Sequence, residues 1–216
     1  MRQIGHNSSI MLYHPVPPIS PASRATEQMQ AESSSTTSPA LRLEIRPATV
    51  FDCEILVDLI RQLAQYEKLE EQLEITVPKL AAEMFGSRPA AEAVIAWEVT
   101  ADPNLSPSGH MNRTNETPVG FAMYFTNFST FLSRRGLFLE DLFVVPNRRG
   151  HGYGKALIQT VAKIAQERNA GRFEWIVLDW NETAIQFYAS LGAEVLPEWR
   201  IIRVTGDNIK HIAEAK

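Results

Sequence analysis

Three glycines at alternate positions follow two arginines in the stretch Val144-Val145-Pro146-Asn147-Arg148-Arg149-Gly150-His151-Gly152-Tyr153-Gly154-Lys155. Apolar residues of strand type precede it and residues of helical period follow it. The stretch therefore lies between a strand and a helix, where unpaired backbone N–H groups meet the positive end of a helix dipole. That chemistry binds anions. Glycine brings the main chain to a ligand with no Cβ in the way, and Arg148, Arg149 and Lys155 add counter-charge, so a pyrophosphate fits. A P-loop is excluded: Arg149 stands where its first glycine belongs, and Ala156 where Ser or Thr would hold magnesium. ATP or GTP hydrolysis is disfavoured accordingly. The dinucleotide fingerprint G-x-G-x-x-G also fails, because the third glycine comes one residue early and the unit lies past the middle of the chain. What remains is R-x-x-G-x-G, Arg149 to Gly154.

Two carboxylates, Glu140 and Asp141, interrupt the apolar run Gly136 to Pro146, where β-propensity and burial both disfavour them. Counted with period two, Leu137, Leu139, Phe143 and Val145 share one parity and Phe138, Leu142 and Val144 the other. This predicts a central strand buried on both faces, with Glu140 desolvated inside it.

The elements that carry these groups alternate between strand and helix periods from Leu41 onward. Leu43 and Ile45 mark a short strand. Thr49 with Asp52 resembles a capping box before the helical face Ile55, Leu56, Leu59, Ile60 and Leu63, which runs to about Glu67. Thr76 ahead of Pro78 opens a second helix that Gly86 closes. Strands are predicted at Val94 to Val99, Val119 to Thr126 and Phe173 to Leu178, with a last one at Trp199 to Val204. Helices are predicted from Gly154 to Asn169 and from Asn181 to Gly192. Ala101 to Thr117 reads as a long hairpin connection.

Composition limits the rest. In 216 residues, 44% hydrophobic and 21% charged, 13 prolines and the run Ser33 to Ser38 are unevenly placed, so residues 1–40 read as a disordered Ser/Pro-rich tail and 41–216 as one domain. A net charge of −4 argues against a nucleic-acid partner. No apolar run reaches the ~18–20 residues of a membrane span. Cys53 is the sole cysteine, which points to a reducing, cytoplasmic setting, and the histidines show no metal spacing.

R-x-x-G-x-G is joined by Ile45-Arg46-Pro47-Ala48-Thr49, Leu63-Ala64-Gln65-Tyr66-Glu67, Gly120-Phe121-Ala122-Met123-Tyr124-Phe125, Leu139-Glu140-Asp141-Leu142-Phe143-Val144, Trp180-Asn181-Glu182 and Phe187-Tyr188-Ala189-Ser190-Leu191-Gly192-Ala193. In this order they resemble the GNAT superfamily of N-acetyltransferases, in its diamine (spermidine/spermine) and thialysine branch. The resemblance implies an α/β fold: a strongly bent mixed sheet of about six to seven strands, helices on both faces, splayed between the fourth and fifth strands. It implies acetyl-CoA as cosubstrate and a homodimer; no metal is expected, since the histidines lack ligand spacing. Pantetheine would lie along Leu142, Phe143 and Val144. The diphosphate would meet Arg149, Gly150, His151, Gly152, Tyr153, Gly154 and Lys155, and Asn181 and Tyr188 would approach the thioester.

An alkylamine of pKa ~10.4 is neutral about once in 2,500 molecules at pH 7, so deprotonation costs roughly 4.6 kcal/mol before attack. Glu140 is the expected base and Tyr188, by resemblance, the acid that protonates the leaving thiolate. Tyr66, Glu67, Asp141 and Trp199 are expected to hold a cationic amine, the two rings by cation–π contact. At Asn127-Phe128-Ser129-Thr130-Phe131-Leu132 the chain departs from the polyamine enzymes, which leaves a lysine-like amine equally open. Acetylation of a protein lysine or amino terminus, or a non-catalytic acyl-CoA-binding module, are the alternatives.

Overall fold

The computed structural model describes residues 41–100 and 115–215. The Ser/Pro-rich stretch 1–40 and most of the 101–117 connection lie outside the described residues. Five strands form one mixed sheet in the order β1 (Leu41–Pro47), β2 (Glu92–Thr100), β3 (Glu116–Ser129), β4 (Arg134–Val144), β5 (Phe173–Trp175). Neighbours are antiparallel except β4 and β5, which run parallel.

Helices cover both faces. On one face lie α1 (Cys53–Glu67) and α2 (Val77–Phe85). The buried stripe Leu56, Leu59, Ile60 and Leu63 of α1 packs on Ile95, Trp97, Phe121 and Phe143 of the sheet. Its start is fixed as the sequence suggests, since the Asp52 carboxylate accepts from the Thr49 N–H at 2.9 Å and hydroxyl at 2.7 Å. Thr76 caps α2 by accepting from the Lys79 N–H at 3.3 Å. Across the sheet, α3 (Tyr153–Glu167) buries Leu157, Ile158 and Val161 against Val94, Ala122, Leu137 and Leu139. The Asn181 side chain accepts from the Ala184 N–H at 3.3 Å and starts α4 (Glu182–Ser190).

Three expectations are corrected. Among the described residues five strands stand where six to seven were expected, because Trp199–Val204 pairs with no described strand; α5 (Asp207–Glu214) follows it. A strand needs a neighbour to take its N–H and C=O groups, and β5, paired only through Phe173, Glu174 and Trp175, stops short of supplying one.

The second correction concerns β4. Met123 faces Asp141 while Tyr124 faces Leu139, so Glu140 is an extra residue, a β-bulge. The bulge resets the alternation: Leu137, Leu139, Leu142 and Val144 all pack on the α3 side, and Phe143 packs on the α1 side. Period-two counting carried across Glu140 divides these residues wrongly, since it misses the extra residue.

The third follows from the second. Glu140 is exposed at the bulge, not desolvated within the strand, and Asp141 beside it is the partly buried carboxylate. Beyond Leu139, β4 has β3 on one side and, among the described residues, no strand paired on the other.

Candidate functional site

The glycine loop begins where β4 ends. Pro146–Arg148 makes one 3₁₀ turn, and Gly150 and Gly152 then adopt φ of 79° and 81°, a left-handed backbone that glycine enters at no steric cost. Among the described residues, no acceptor takes the N–H groups of Gly150, His151, Gly152, Tyr153, Gly154 or Lys155, whereas Arg148, Arg149 and Ala156 N–H groups are bonded. Six consecutive donors thus stand unpaired at the start of α3. A Cβ built on Gly150 or Gly152 would meet nothing within 4 Å, so the space above the loop is open. This arrangement fits a diphosphate.

Gly152→Ala would force an L side chain into the left-handed region and is expected to lower stability by about 1–2 kcal/mol in chemical denaturation. Gly154→Ala, with ordinary helical backbone and nearest neighbours at 3.8 and 3.9 Å, is expected to be neutral or slightly stabilising. A loss at both positions would show that crowding, not backbone hand, selects these glycines.

The loop's cations are placed unevenly. Arg148, expected as counter-charge, is held by Glu98 of β2 at 2.8 Å, and the Tyr153 hydroxyl donates to the same carboxylate at 2.9 Å. Glu98 is only 3% exposed. Sequence reading passed over it, although a glutamate inside the apolar run Val94 to Val99 is the same kind of signal that singled out Glu140. Arg149 folds back along β4: its Nε donates to the Val144 carbonyl at 3.1 Å and its guanidinium lies 4.1 Å from the Tyr66 ring centre. Lys155 is exposed, and so is His151, whose Nδ1 lies 2.9 Å from the Arg149 carbonyl oxygen.

A second group forms where the C-terminus of α1 and the middle of β4 meet α4. Burial, and after it the charges of Glu140 and Glu67, push the Asp141 carboxyl up to about 7. Burial also raises Glu67. Tyr188 is pushed up to about 12, first by burial and then by the charges of Glu67 and Asp141. Its ring sits 5.0 Å from Trp175 and 5.2 Å from Phe187. Glu67, Asp141 and Tyr188 are therefore within electrostatic reach of one another, and Glu140 acts on Asp141 beside it.

The expected aromatic faces are not arranged as foreseen. Tyr66 already carries Arg149 on its ring, and its second ring contact is Trp180 at 6.3 Å. Trp199 is 70% exposed and has no ring or cation contact among the described residues. Leu142 and Val144 are half-buried on the α3 side and Phe143 is buried on the α1 side.

Residues 67–193 match the Acetyltransferase (GNAT) family. The chain is 33% identical over 224 residues to L-ornithine N5-acetyltransferase NATA1 of Arabidopsis thaliana, covering 90% of this chain and 98% of that one. To thialysine N-epsilon-acetyltransferase of Bos taurus it is 36% identical over 172 residues, 78% of this chain and 96% of that one. Among solved structures, an integron cassette protein from the mobile metagenome of V. cholerae superimposes with a TM-score of 0.62 at 25% identity, covering 80% of this chain and 98% of its own.

Proposed function

The chain belongs to the GNAT acetyltransferase family, and from that premise we propose that it moves the acetyl group of acetyl-CoA onto a primary amine of a small cationic substrate. The observation that carries the reading is the acidic cluster Glu67, Glu140 and Asp141 beside Tyr188, at the place where β4 loses its strand partner. Three carboxylates attract an ammonium group, and one of them with a pKa near neutrality can take its proton.

The family's acetyl-CoA supplies a thioester, which is the activated acyl group. The free amides of Gly150 to Lys155 would hold its diphosphate, with Arg149 and Lys155 as counter-charges. At the edge of β4 beyond Leu139, where Arg149 already occupies the Val144 carbonyl, Leu142 would meet its pantetheine arm. On the amine, the Glu140–Asp141 pair accepts the proton, and Asp141 is the member whose pKa suits that task. Burial keeps Asp141 partly protonated at neutral pH until an ammonium group arrives to favour its ionised form. Tyr188 then donates its phenolic proton to the leaving sulfur as the carbon–sulfur bond breaks, and the second proton shed by the acylated nitrogen restores the phenol. Transfer is direct, and no residue carries the acyl group.

A side-chain amine of a diamino acid, such as ornithine or thialysine, suits the cluster as well as a polyamine does, and the relatives named for those two substrates span nearly their whole length on this chain. We also propose a homodimer, and a cytoplasmic location consistent with the lone buried Cys53. No helix among the described residues is long and apolar enough to cross a membrane. The test is CoA release measured with ornithine, thialysine, lysine, spermidine and a lysine peptide. Turnover is expected with the small amines; turnover with the peptide alone would overturn the substrate class, and tight acetyl-CoA binding with no turnover would overturn catalysis.

A further inference from the structure

We propose that Glu98 is a positioning residue for the coenzyme: buried in β2 beneath the glycine loop, it fixes Arg148 and Tyr153 and thereby sets the loop's unpaired amides in place. The inference rests on the reading that this loop takes the diphosphate.

Glu98 lies far from the loop in sequence, 50 residues before Arg148 and 55 before Tyr153, yet both reach its carboxylate within 3 Å. Those two residues bracket the segment that matters. Arg148 ends the 3₁₀ turn, and Tyr153 is the first residue of α3. Between them stand only Arg149, Gly150, His151 and Gly152, two of which are left-handed glycines with the widest conformational freedom of any residue type. A loop of that composition would sample many shapes if its ends were loose. Anchored at both ends to one buried group, its donors are ordered before the ligand arrives, which lowers the ordering cost of binding.

The charges agree with this role. A carboxylate 3% exposed has lost most of its water and needs a partner. Arg148 supplies one, so its positive charge is neutralised by Glu98 and is not free for a phosphate. Affinity for the diphosphate is thereby assigned to the amides, Arg149 and Lys155. Arg148 serves geometry, and its substitution acts through loop shape rather than through lost attraction.

The test uses the full chain, with acetyl-CoA binding measured by titration calorimetry and turnover measured separately. Glu98→Gln keeps the volume and an acceptor for Tyr153 but presents no charge to Arg148. It is expected to raise the Kd for acetyl-CoA about tenfold while turnover at saturating coenzyme stays within threefold. Tyr153→Phe, which removes one hydroxyl, is expected to raise Kd several-fold by the same route. The double variant is expected to be less impaired than the product of the two single effects, because both act on one anchored loop. If Glu98→Gln fails to fold, Tyr153→Phe alone decides. Unchanged Kd in the folded variants, or a loss of turnover at unchanged Kd, would overturn the role of Glu98 while leaving the loop's assignment standing. A wild-type chain that does not bind acetyl-CoA would overturn both.

Discussion

Asp141→Asn is expected to reduce turnover about 10²–10³-fold at pH 7.5, the range lost when a positioned base is removed. Burial and the neighbouring carboxylates hold this group at about 7, so the wild-type profile of kcat/KM should fall on its acid side with a midpoint near that value. In Asp141→Asn the limb should disappear with most of the activity. Glu140→Gln should instead move the limb to lower pH, because Glu140 is one of the charges that raise Asp141. If Glu140→Gln erases the limb and Asp141→Asn merely shifts it, Glu140 is the proton acceptor and the two roles are exchanged.

The same substitution carries a stability signature of opposite sense. A carboxyl near 7 in the folded chain and near 3.8 when unfolded binds its proton more tightly in the folded state. Its contribution to stability is therefore present below about pH 4, declines as pH rises, and is lost above 7. Asn lacks this penalty. Asp141→Asn should match the wild type near pH 4 and exceed it at pH 8 by on the order of 1–3 kcal/mol, read from denaturant midpoints. Equal stability at both values would mean that Asp141 is less desolvated than its surroundings imply.

Tyr188→Phe is expected to lower turnover about 10²-fold and to leave the Kd for acetyl-CoA within twofold. Held at about 12, the phenol stays protonated across any practical assay range, which an acid needs and a base does not. Phe keeps the ring packed against Trp175 and Phe187, so the change removes a donor and little else. A coenzyme thiolate of pKa near 8.5 would then depart without a proton, and a poorer leaving group such as an oxyester-linked acyl donor should suffer more than the thioester. Unimpaired turnover would remove Tyr188 from the chemistry.

Much of this was readable from residue order. The Thr49/Asp52 cap, the Thr76 cap, the Asn181 cap and the apolar stripe of α1 are local signals, set by side chains within a few positions of one another, and each stands where it was expected. The glycine loop was equally legible, since a left-handed backbone names its own residue type. Other features escaped for a common reason. The carboxylates at Glu140 and Asp141 mark the place but not the bulge, and counting by twos carries an unseen insertion forward to every later position. The pairing of Glu98 with Arg148 and Tyr153, and of Arg149 with Tyr66, depends on contacts closed by the fold over 50 or more residues. An expected strand at Trp199–Val204 had the right composition but no described neighbour to pair with.

Glu140 also matters as a unit of length. Were it removed, Leu139 and Leu142 would still fall on the α3 face, and Asp141 and Phe143 on the other, so inside-outside patterning gives no reason for its presence. What the additional peptide contributes is a crimp in an otherwise regular ribbon, placed at the first residue past the last β4–β5 pair, Leu139 with Trp175. On the proposed reading, the molecule makes its berth for a long, thin guest by miscounting one strand against the next, with no bulky wedge between the two.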